Sequence, residues 1–343
     1  MNWKRIVVRE YGGPERLEIE ELDTVPTPGR GEALIGIDAA GVGYTDTIVR
    51  RGKYIDYKGG LPVTPGYDLA GTVIALGEGV SAPAPGTTVC DMPMNGGYAQ
   101  YAVLPAKDLI PVPQGVAPQD AVQVPLMYMT AYQMLTREVE LKRGDAILVV
   151  GASGSVGRAL VKLGVQRGLR VIGTASARNL DAVRTLGAEA LDYRRPDLAQ
   201  AIRLASGGGV MAAFDAIGGN SWTTSWLSLA KGGKLIGFGL QDYLDANAGL
   251  ISAMASFARL KFGFPLRAAL DRSGRTTGFY NILQRRRALP QEYREDAITV
   301  LDLFASGAIS PDPVEVLSLE QAPEAHRRIA QGGMAHRLVI APG

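Results

Sequence analysis

The sequence predicts an α/β protein built in two parts, a small and partly open β-barrel followed by a doubly wound parallel sheet. Three observations lead there. Residues 1 to about 118 are short apolar runs cut by proline and glycine, the pattern of an all-β segment. Residues 145–175 read strand, tight turn, helix, strand within about thirty positions, the span of a βαβ unit. Strand-like and helix-like segments go on alternating after it, over a chain of 343 residues that suits about two domains.

In the first part, Ile6-Val7-Val8, Ala33-Leu34-Ile35-Gly36-Ile37 and Thr72-Val73-Ile74-Ala75-Leu76 are the strand candidates. Pro26, Pro28, Gly29, Gly31, Pro83, Pro85 and Gly86 supply the turns. A helical stripe over residues 121–135 follows Pro118. In the βαβ unit, residues 146–150 are a buried strand, and Ala159, Leu160, Leu163 and Val165 give a helical stripe. Val171-Ile172-Gly173-Thr174 is the second strand. Residues 188–193, 210–217 and 233–239 read as further strands, the last with glycines where a backbone would approach a ligand. Residues 241–290 show no clear pattern, only an Ala/Met/Phe-rich segment and then Arg285-Arg286-Arg287. Residues 290–306 form an amphipathic helix, and Leu338-Val339-Ile340 closes the chain as a strand.

The turn of the βαβ unit, Gly151-Ala152-Ser153-Gly154-Ser155-Val156-Gly157, is where chemistry is written. Ala152, Gly154 and Gly157 hold the three small-residue positions of the dinucleotide fingerprint, alanine replacing the first glycine. Small side chains let the backbone approach a pyrophosphate, whose charge is met by unpaired N–H groups at the helix N-terminus. An NAD site places an acid about twenty residues further on to hold the ribose hydroxyls. Here the second strand ends in Thr174-Ala175-Ser176-Ala177-Arg178, and no acid comes before Asp181. Ser176 can donate a hydrogen bond and Arg178 can pair with a 2′-phosphate, so NADPH is the expected cofactor. The plainer alternative makes Arg178 a solvated residue opening the next helix.

Composition excludes several classes. A hydrophobic content of 46% and a charged content of 20% are those of a soluble globular chain able to bury large cores. Net charge of +2 argues against electrostatic capture of nucleic acid or acidic membrane. Cys90 is the single cysteine, which excludes an internal disulfide and any multi-cysteine zinc site. No signal peptide is legible at the N-terminus, and the cytoplasm is the expected location. Residues 246–258, the most apolar late stretch, are too few to span a bilayer and run into Arg259 and Lys261.

Six further segments carry a family resemblance: Tyr11-Gly12-Gly13-Pro14-Glu15, Pro28-Gly29-Arg30-Gly31-Glu32-Ala33, Ala40-Gly41-Val42-Gly43-Tyr44-Thr45-Asp46, Arg50-Arg51-Gly52-Lys53-Tyr54, Pro65-Gly66-Tyr67-Asp68-Leu69-Ala70-Gly71 and Met129-Thr130-Ala131-Tyr132. With the fingerprint, and over nearly the whole chain, they resemble the zinc-free quinone oxidoreductase branch of the medium-chain dehydrogenase/reductase superfamily. The resemblance implies a GroES-like β-barrel catalytic domain over residues 1–120 and a Rossmann NADP-binding domain over 121–265. A C-terminal segment, 266–343, would return to the first domain, and a homodimer would form through the edge of the Rossmann sheet.

The resemblance also assigns contacts by position. Thr130 is expected near the nicotinamide ribose or amide, and Ser153, Gly154, Ser155 and Val156 around the pyrophosphate. Tyr193 is expected at the adenine end, and Gly218, Phe238 and Gly239 over the nicotinamide. Arg337 follows His336 where the family often has Gly-Lys, which makes it a further cofactor contact. Zinc-dependent members hold their metal with a cysteine and a histidine, but here Gly43 and Tyr67 stand at those positions. The only histidines are His326 and His336, and the four-cysteine lobe is missing. No metal is expected, and His326 reads as a helix-surface residue.

Without a metal, hydride delivery from NADPH to an already electrophilic π-system is the easier chemistry, which points to a quinone or an α,β-unsaturated carbonyl as the small-molecule substrate. The carbonyl oxygen gathers negative charge, so a nearby donor lowers the barrier. Tyr54 is the first candidate, then Tyr44 and Tyr67; each could instead pack its ring and bond locally. Asp68 stands where the family usually has glutamate, and a structural hydrogen bond is its expected role. Gly43 stands where many quinone oxidoreductases carry asparagine, which implies a wider or wetter pocket. The alternatives are an enone or alkenal double-bond reductase of a biosynthetic pathway, and an NADPH-binding protein with little catalysis.

Overall fold

A computed structural model describes residues 2–54, 56–239, 263–332 and 336–343. The described chain divides by its internal packing into two units, Met1–Met129 with Leu289–Gly343, and Thr130–Ala288. The second unit therefore begins nine residues past the expected position 121 and continues past 265 to Ala288. Residues 246–258 lie outside the described residues.

The first unit opens with β1 (Trp3–Val7) and β2 (Glu18–Leu22), an antiparallel ribbon. The ten-residue strand β3 (Glu32–Gly41) then pairs antiparallel with β4 (Leu69–Leu76), with α1 (Tyr44–Arg50) in the connection. Next come β5 (Thr88–Asp91), β6 (Tyr101–Pro105) and β7 (Ile110–Pro111). β6 pairs with β3, β5 with β4, and β7 with β5. The expected helix over 121–135 is a short α2 (Pro118–Ala121), a π-turn Val124–Tyr128 and α3 (Met129–Arg137).

Among the described residues the second unit holds a six-stranded parallel sheet: β8 (Ala146–Val150), β9 (Arg170–Ala175), β10 (Glu189–Asp192), β11 (Val210–Asp215), β12 (Leu229–Gly237) and β13 (Thr276–Phe279). Their spatial order is β10-β9-β8-β11-β12-β13. Counted within the sheet this is 3-2-1-4-5-6, the order of a doubly wound dinucleotide-binding fold, which reverses between β8 and β11. Helices α4 (Ser155–Gln166), α5 (Leu180–Thr185), α6 (Leu198–Ala205) and α7 (Gly219–Ser228) connect the strands. Then come α8 (Phe264–Leu270) before β13 and α9 (Ile282–Ala288) after it. β13 hydrogen-bonds to β12, which is why residues past 265 belong to this unit. The Ala159, Leu160 and Leu163 stripe of α4 is buried as expected, but Val165 is 40% exposed. At 3.6 residues per turn Val165 falls outside the face that the other three share.

The chain returns to the first unit through α10 (Pro290–Ala305), β14 (Val314–Leu317), α11 (Ala322–Gln331) and β15 (Arg337–Ile340). β15 pairs antiparallel with β3 and parallel with β14, extending the barrel sheet. Leu317, Leu319, Leu338 and Ile340 are buried in one cluster with Ile6, Val8, Val42 and Val49, so both ends of the chain build one core. The Tyr293 hydroxyl donates to the Pro125 carbonyl (2.6 Å), and the Tyr128 and Phe304 rings meet edge to face at 4.8 Å. These contacts fasten the π-turn to α10 and keep residues 118–129 in the first unit.

Candidate active site

The fingerprint loop is folded by its own backbone. The Ala152 N–H donates to the Thr174 carbonyl (2.9 Å), locking the turn after β8 onto β9, and the Gly154 N–H closes back on Gly151 (2.9 Å). Gly154 is extended and begins α4 with no side-chain cap. The helix therefore offers its first-turn N–H groups outward, since no preceding turn can accept them. Gly157 is needed for close approach: a Cβ there would run into the Gly151 carbonyl oxygen and lie 2.8 Å from Ala152 Cα. Gly154 and Ser155 are exposed, while Ala152 and Gly157 are buried. This cradle fits a pyrophosphate, with small residues where the backbone must be bare and N–H groups where charge must be met.

The strand ends beside it carry the other expected contacts. Ser176, half-buried, follows β9, and Arg178 beyond it is exposed. The Asn179 amide donates to the Ser153 hydroxyl (3.3 Å), tying this turn to the fingerprint. Tyr193, 49% exposed, follows β10, and its N–H donates to the Ala175 carbonyl (3.1 Å). Gly218 lies just past the end of β11 and leads into α7; Phe238 and Gly239 lie just past the end of β12. The Phe238 N–H donates to the Asp215 carbonyl (3.2 Å). Thr130 is buried in the first turn of α3.

Asp215 organises this end of the sheet and was not singled out by sequence reasoning. Its Oδ1 accepts the N–H groups of Ile217 (2.9 Å) and Gly218 (3.3 Å). Its Oδ2 accepts the hydroxyls of Ser221 and Ser225, each at 2.7 Å. Burial pushes this carboxyl's pKa up, and the four hydrogen bonds oppose the rise. The available signal was an acid at a strand end before Gly-Gly, with two serines four apart on one helix face.

In the first unit, the structure brings two of the three candidate tyrosines together. The Tyr54 and Tyr67 hydroxyls are 2.7 Å apart and their rings meet edge to face at 5.8 Å. Tyr67 is buried, and burial followed by the neighbouring Tyr54 pushes its phenol pKa up. Tyr54 is only partly buried. Tyr44 sits instead with Arg51, whose guanidinium lies 5.7 Å over its ring.

Behind the pair, Asp46 of α1 joins two loops. Its Oδ2 accepts the Gly43 N–H (2.8 Å), and its Oδ1 accepts those of Gly66 (3.0 Å) and Tyr67 (2.9 Å). Burial and the Asp68 charge push its pKa up to about 7 against those donors. Gly66 has φ +102°, and a Cβ there would meet Gly97 Cα and Tyr98 N at 2.5 Å, so only glycine lets these two loops touch. Asp68, buried, also has an ionic partner, facing the buried Arg337 at 3.5 Å.

Arg337, expected by position at the cofactor, is 7% exposed in the first unit. Its guanidinium donates to the Val42 carbonyl (3.0 Å) and faces Asp68, so its charge is met inside the barrel. His326 corrects the expectation of a surface residue, being 0% exposed. Its Nδ1 lies 3.1 Å from Arg50 Nη1 and its Nε2 3.2 Å from the Tyr98 hydroxyl. Arginine can only donate, so Nδ1 accepts and the ring proton sits on Nε2. Burial and Arg50 hold its pKa down to about 3. The signal was the α11 stripe Ala322, Ala325, His326, three positions that share one helix face and are all buried.

Fold, cradle and motif order define a class: the chain belongs to the medium-chain dehydrogenase/reductase family, with the quinone oxidoreductases. The family model of the alcohol dehydrogenase GroES-like domain matches residues 29–114, and that of zinc-binding dehydrogenases matches residues 186–340. The quinone oxidoreductase of Rattus norvegicus is 32% identical over 248 residues, covering 71% of this chain and 75% of that protein. The human synaptic vesicle membrane protein VAT-1 homolog is 27% identical over 342 residues, covering 98% of this chain and 86% of its own. The solved structure of mycobacterial Rv1454c complexed with NADPH matches at 29% identity and a TM-score of 0.84, covering 99% of this chain and 100% of that one. The GroES-like barrel and Rossmann sheet are thus the fold, and dinucleotide-linked oxidoreduction is the activity class. No described helix is long and apolar enough to cross a membrane.

Proposed function

We propose that the protein is a zinc-independent, NADPH-dependent oxidoreductase that reduces a quinone or an α,β-unsaturated carbonyl. One observation carries the reading: the dinucleotide cradle is complete, while Gly43 and Tyr67 stand at the family's zinc-ligand positions. Gly43 has no side chain to donate, and the Tyr67 hydroxyl is bonded to Tyr54. His326 has both ring nitrogens engaged within the barrel. The acid-free end of β9, with Ser176 and an exposed Arg178, supports NADPH over NADH.

When bound, the dihydronicotinamide supplies a hydride. The chain's own part is to hold the pyrophosphate at the start of α4, fix the β11 and β12 loops through Asp215, and present a hydroxyl to the substrate oxygen. Hydride addition to the electrophilic carbon would move the π-electron pair onto that oxygen. Tyr54 donates a hydrogen bond to it there, with the buried Tyr67 hydroxyl fixing the orientation of Tyr54. A proton from Tyr54 or solvent completes the reduction.

The test is NADPH oxidation at 340 nm against a quinone, an alkyl enone and a simple ketone, repeated with NADH and with a chelator. Quinone or enone turnover that prefers NADPH and ignores the chelator is the expected result. Ketone turnover lost on chelation overturns the reading. A second reading is an NADPH-binding protein with little turnover, in keeping with the likeness, over 98% of this chain, to a protein named for a vesicle membrane rather than for a reaction. Tight NADPH binding without turnover on any of the three substrates supports it.

A further inference from the structure

The corner of the second unit beyond β9 and β10 carries four arginines, and their partners divide them in two. Arg184 pairs with Asp181 at 2.6 Å. Arg195 grips Asp197 through two hydrogen bonds of 3.0 and 2.9 Å. Arg178 and Arg194 are exposed and have no carboxylate partner among the described residues. Asp192, the acid next to Arg194, has its Oδ1 bonded to the backbone N–H of Arg194 (2.9 Å).

The two unpaired arginines leave the sheet at one level. β9 and β10 are parallel neighbours with Asp192 opposite Ala175, and the Tyr193 N–H donates to the Ala175 carbonyl (3.1 Å). Ser176 and Tyr193 therefore begin side by side, about one strand spacing apart, with Arg178 two residues beyond the first and Arg194 one beyond the second. The Arg194 guanidinium lies 5.6 Å over the Tyr193 ring, a cation–π contact that limits its wandering without neutralising it. A phosphate monoester carries about 1.5 to 2 negative charges near neutral pH, more than one guanidinium balances.

We propose that Arg194 is a second specificity-determining cation for the 2′-phosphate of the cofactor, acting with Arg178 and held in place by Tyr193. This rests on the NADPH reading, so its test separates the two. Binding of two redox-inert fragments, ADP-ribose and its 2′-phosphorylated form, is measured by calorimetry on the full chain. The variants are Arg178→Gln, Arg194→Gln and Arg195→Gln. The wild type is expected to prefer the phosphorylated fragment by about a hundredfold. Arg194→Gln is expected to weaken that fragment about tenfold and leave ADP-ribose unchanged, the size of effect a charge-assisted bond gives. Arg195→Gln, already paired to Asp197, is expected to change neither. An equal loss on both fragments in Arg194→Gln would place its action at the adenine through Tyr193 and overturn the proposal, as would no loss on either. A wild type that does not distinguish the fragments overturns the NADPH reading itself.

Discussion

Tyr54 and Tyr67 are thirteen positions apart in sequence, and their hydroxyls meet at 2.7 Å. A buried phenol pushed toward its neutral form is a firm hydrogen-bond partner, so Tyr67 orients the more accessible Tyr54. Tyr54→Phe is expected to leave NADPH affinity unchanged and lower turnover by about a hundredfold, the lower end of what a lost oxyanion donor costs. Tyr67→Phe keeps the Tyr54 hydroxyl and is expected to lower turnover less. Steady-state rates alongside NADPH titration check both, and an unchanged rate in Tyr54→Phe removes it from the mechanism. The sequence put Tyr54 first, by its place after the Arg-x-Gly motif, and left Tyr44 and Tyr67 level behind it. Only packing separated the hydroxyl pair from Tyr44, which stacks against Arg51.

At the scale of elements, β8, the turn and α4 were legible because the constraint is local. A strand, a bare turn and a helix start lie within about twenty residues, so the spacing of small residues records their geometry. Gly157→Ala tests that constraint. Its Cβ would press on two backbone groups, Gly151 and Ala152, that cannot rotate away. Overpacking of this kind costs about 1–3 kcal/mol. A lower melting temperature and at least tenfold weaker dinucleotide binding are expected, by thermal melts and fluorescence titration; wild-type values for both would show the loop yields freely. Residues 264–288 were not legible for the converse reason. β13 is four residues long, and its place is set by pairing with β12 rather than by a pattern of its own.

At the scale of the whole molecule, the C-terminal return is fastened to the barrel through groups far apart in sequence. Arg50, Tyr98 and His326 form one buried cluster, and the two partners of His326 are 276 and 228 positions away. His326 stays neutral in the fold, with a pKa of about 3 against an ordinary 6.5. The unfolded chain therefore binds a proton that the folded one refuses as pH drops below 6.5. This contribution is fully present above pH 6.5 and is lost toward pH 3, at roughly 1.4 kcal/mol per pH unit. Asp46, with its pKa raised, contributes with the opposite sign between its ordinary 3.8 and about 7. His326→Gln leaves the Asp46 contribution in place, so the comparison isolates the histidine. Between pH 7.5 and 5 the melting temperature of the variant is expected to fall less than that of the wild type; equal falls would show that His326 titrates normally.

The sequence by itself determined the α/β class, the β-first order, the fingerprint and its helix, and the acid-free end of β9. Each is written in residues that are close in the chain, where apolar period and turn chemistry leave few alternatives. Tertiary structure alone decided the pairing of Tyr54 with Tyr67, the burial of His326 and the turning of Arg337 onto Asp68. It also decided which arginines beside Tyr193 keep a free charge. Arg337 and Asp68 are separated by most of the chain and meet because β15 pairs with β3, which continues the sheet to β4 just past Asp68. A charge's partner is set by the strand beside it in space, and no spacing along the chain encodes that.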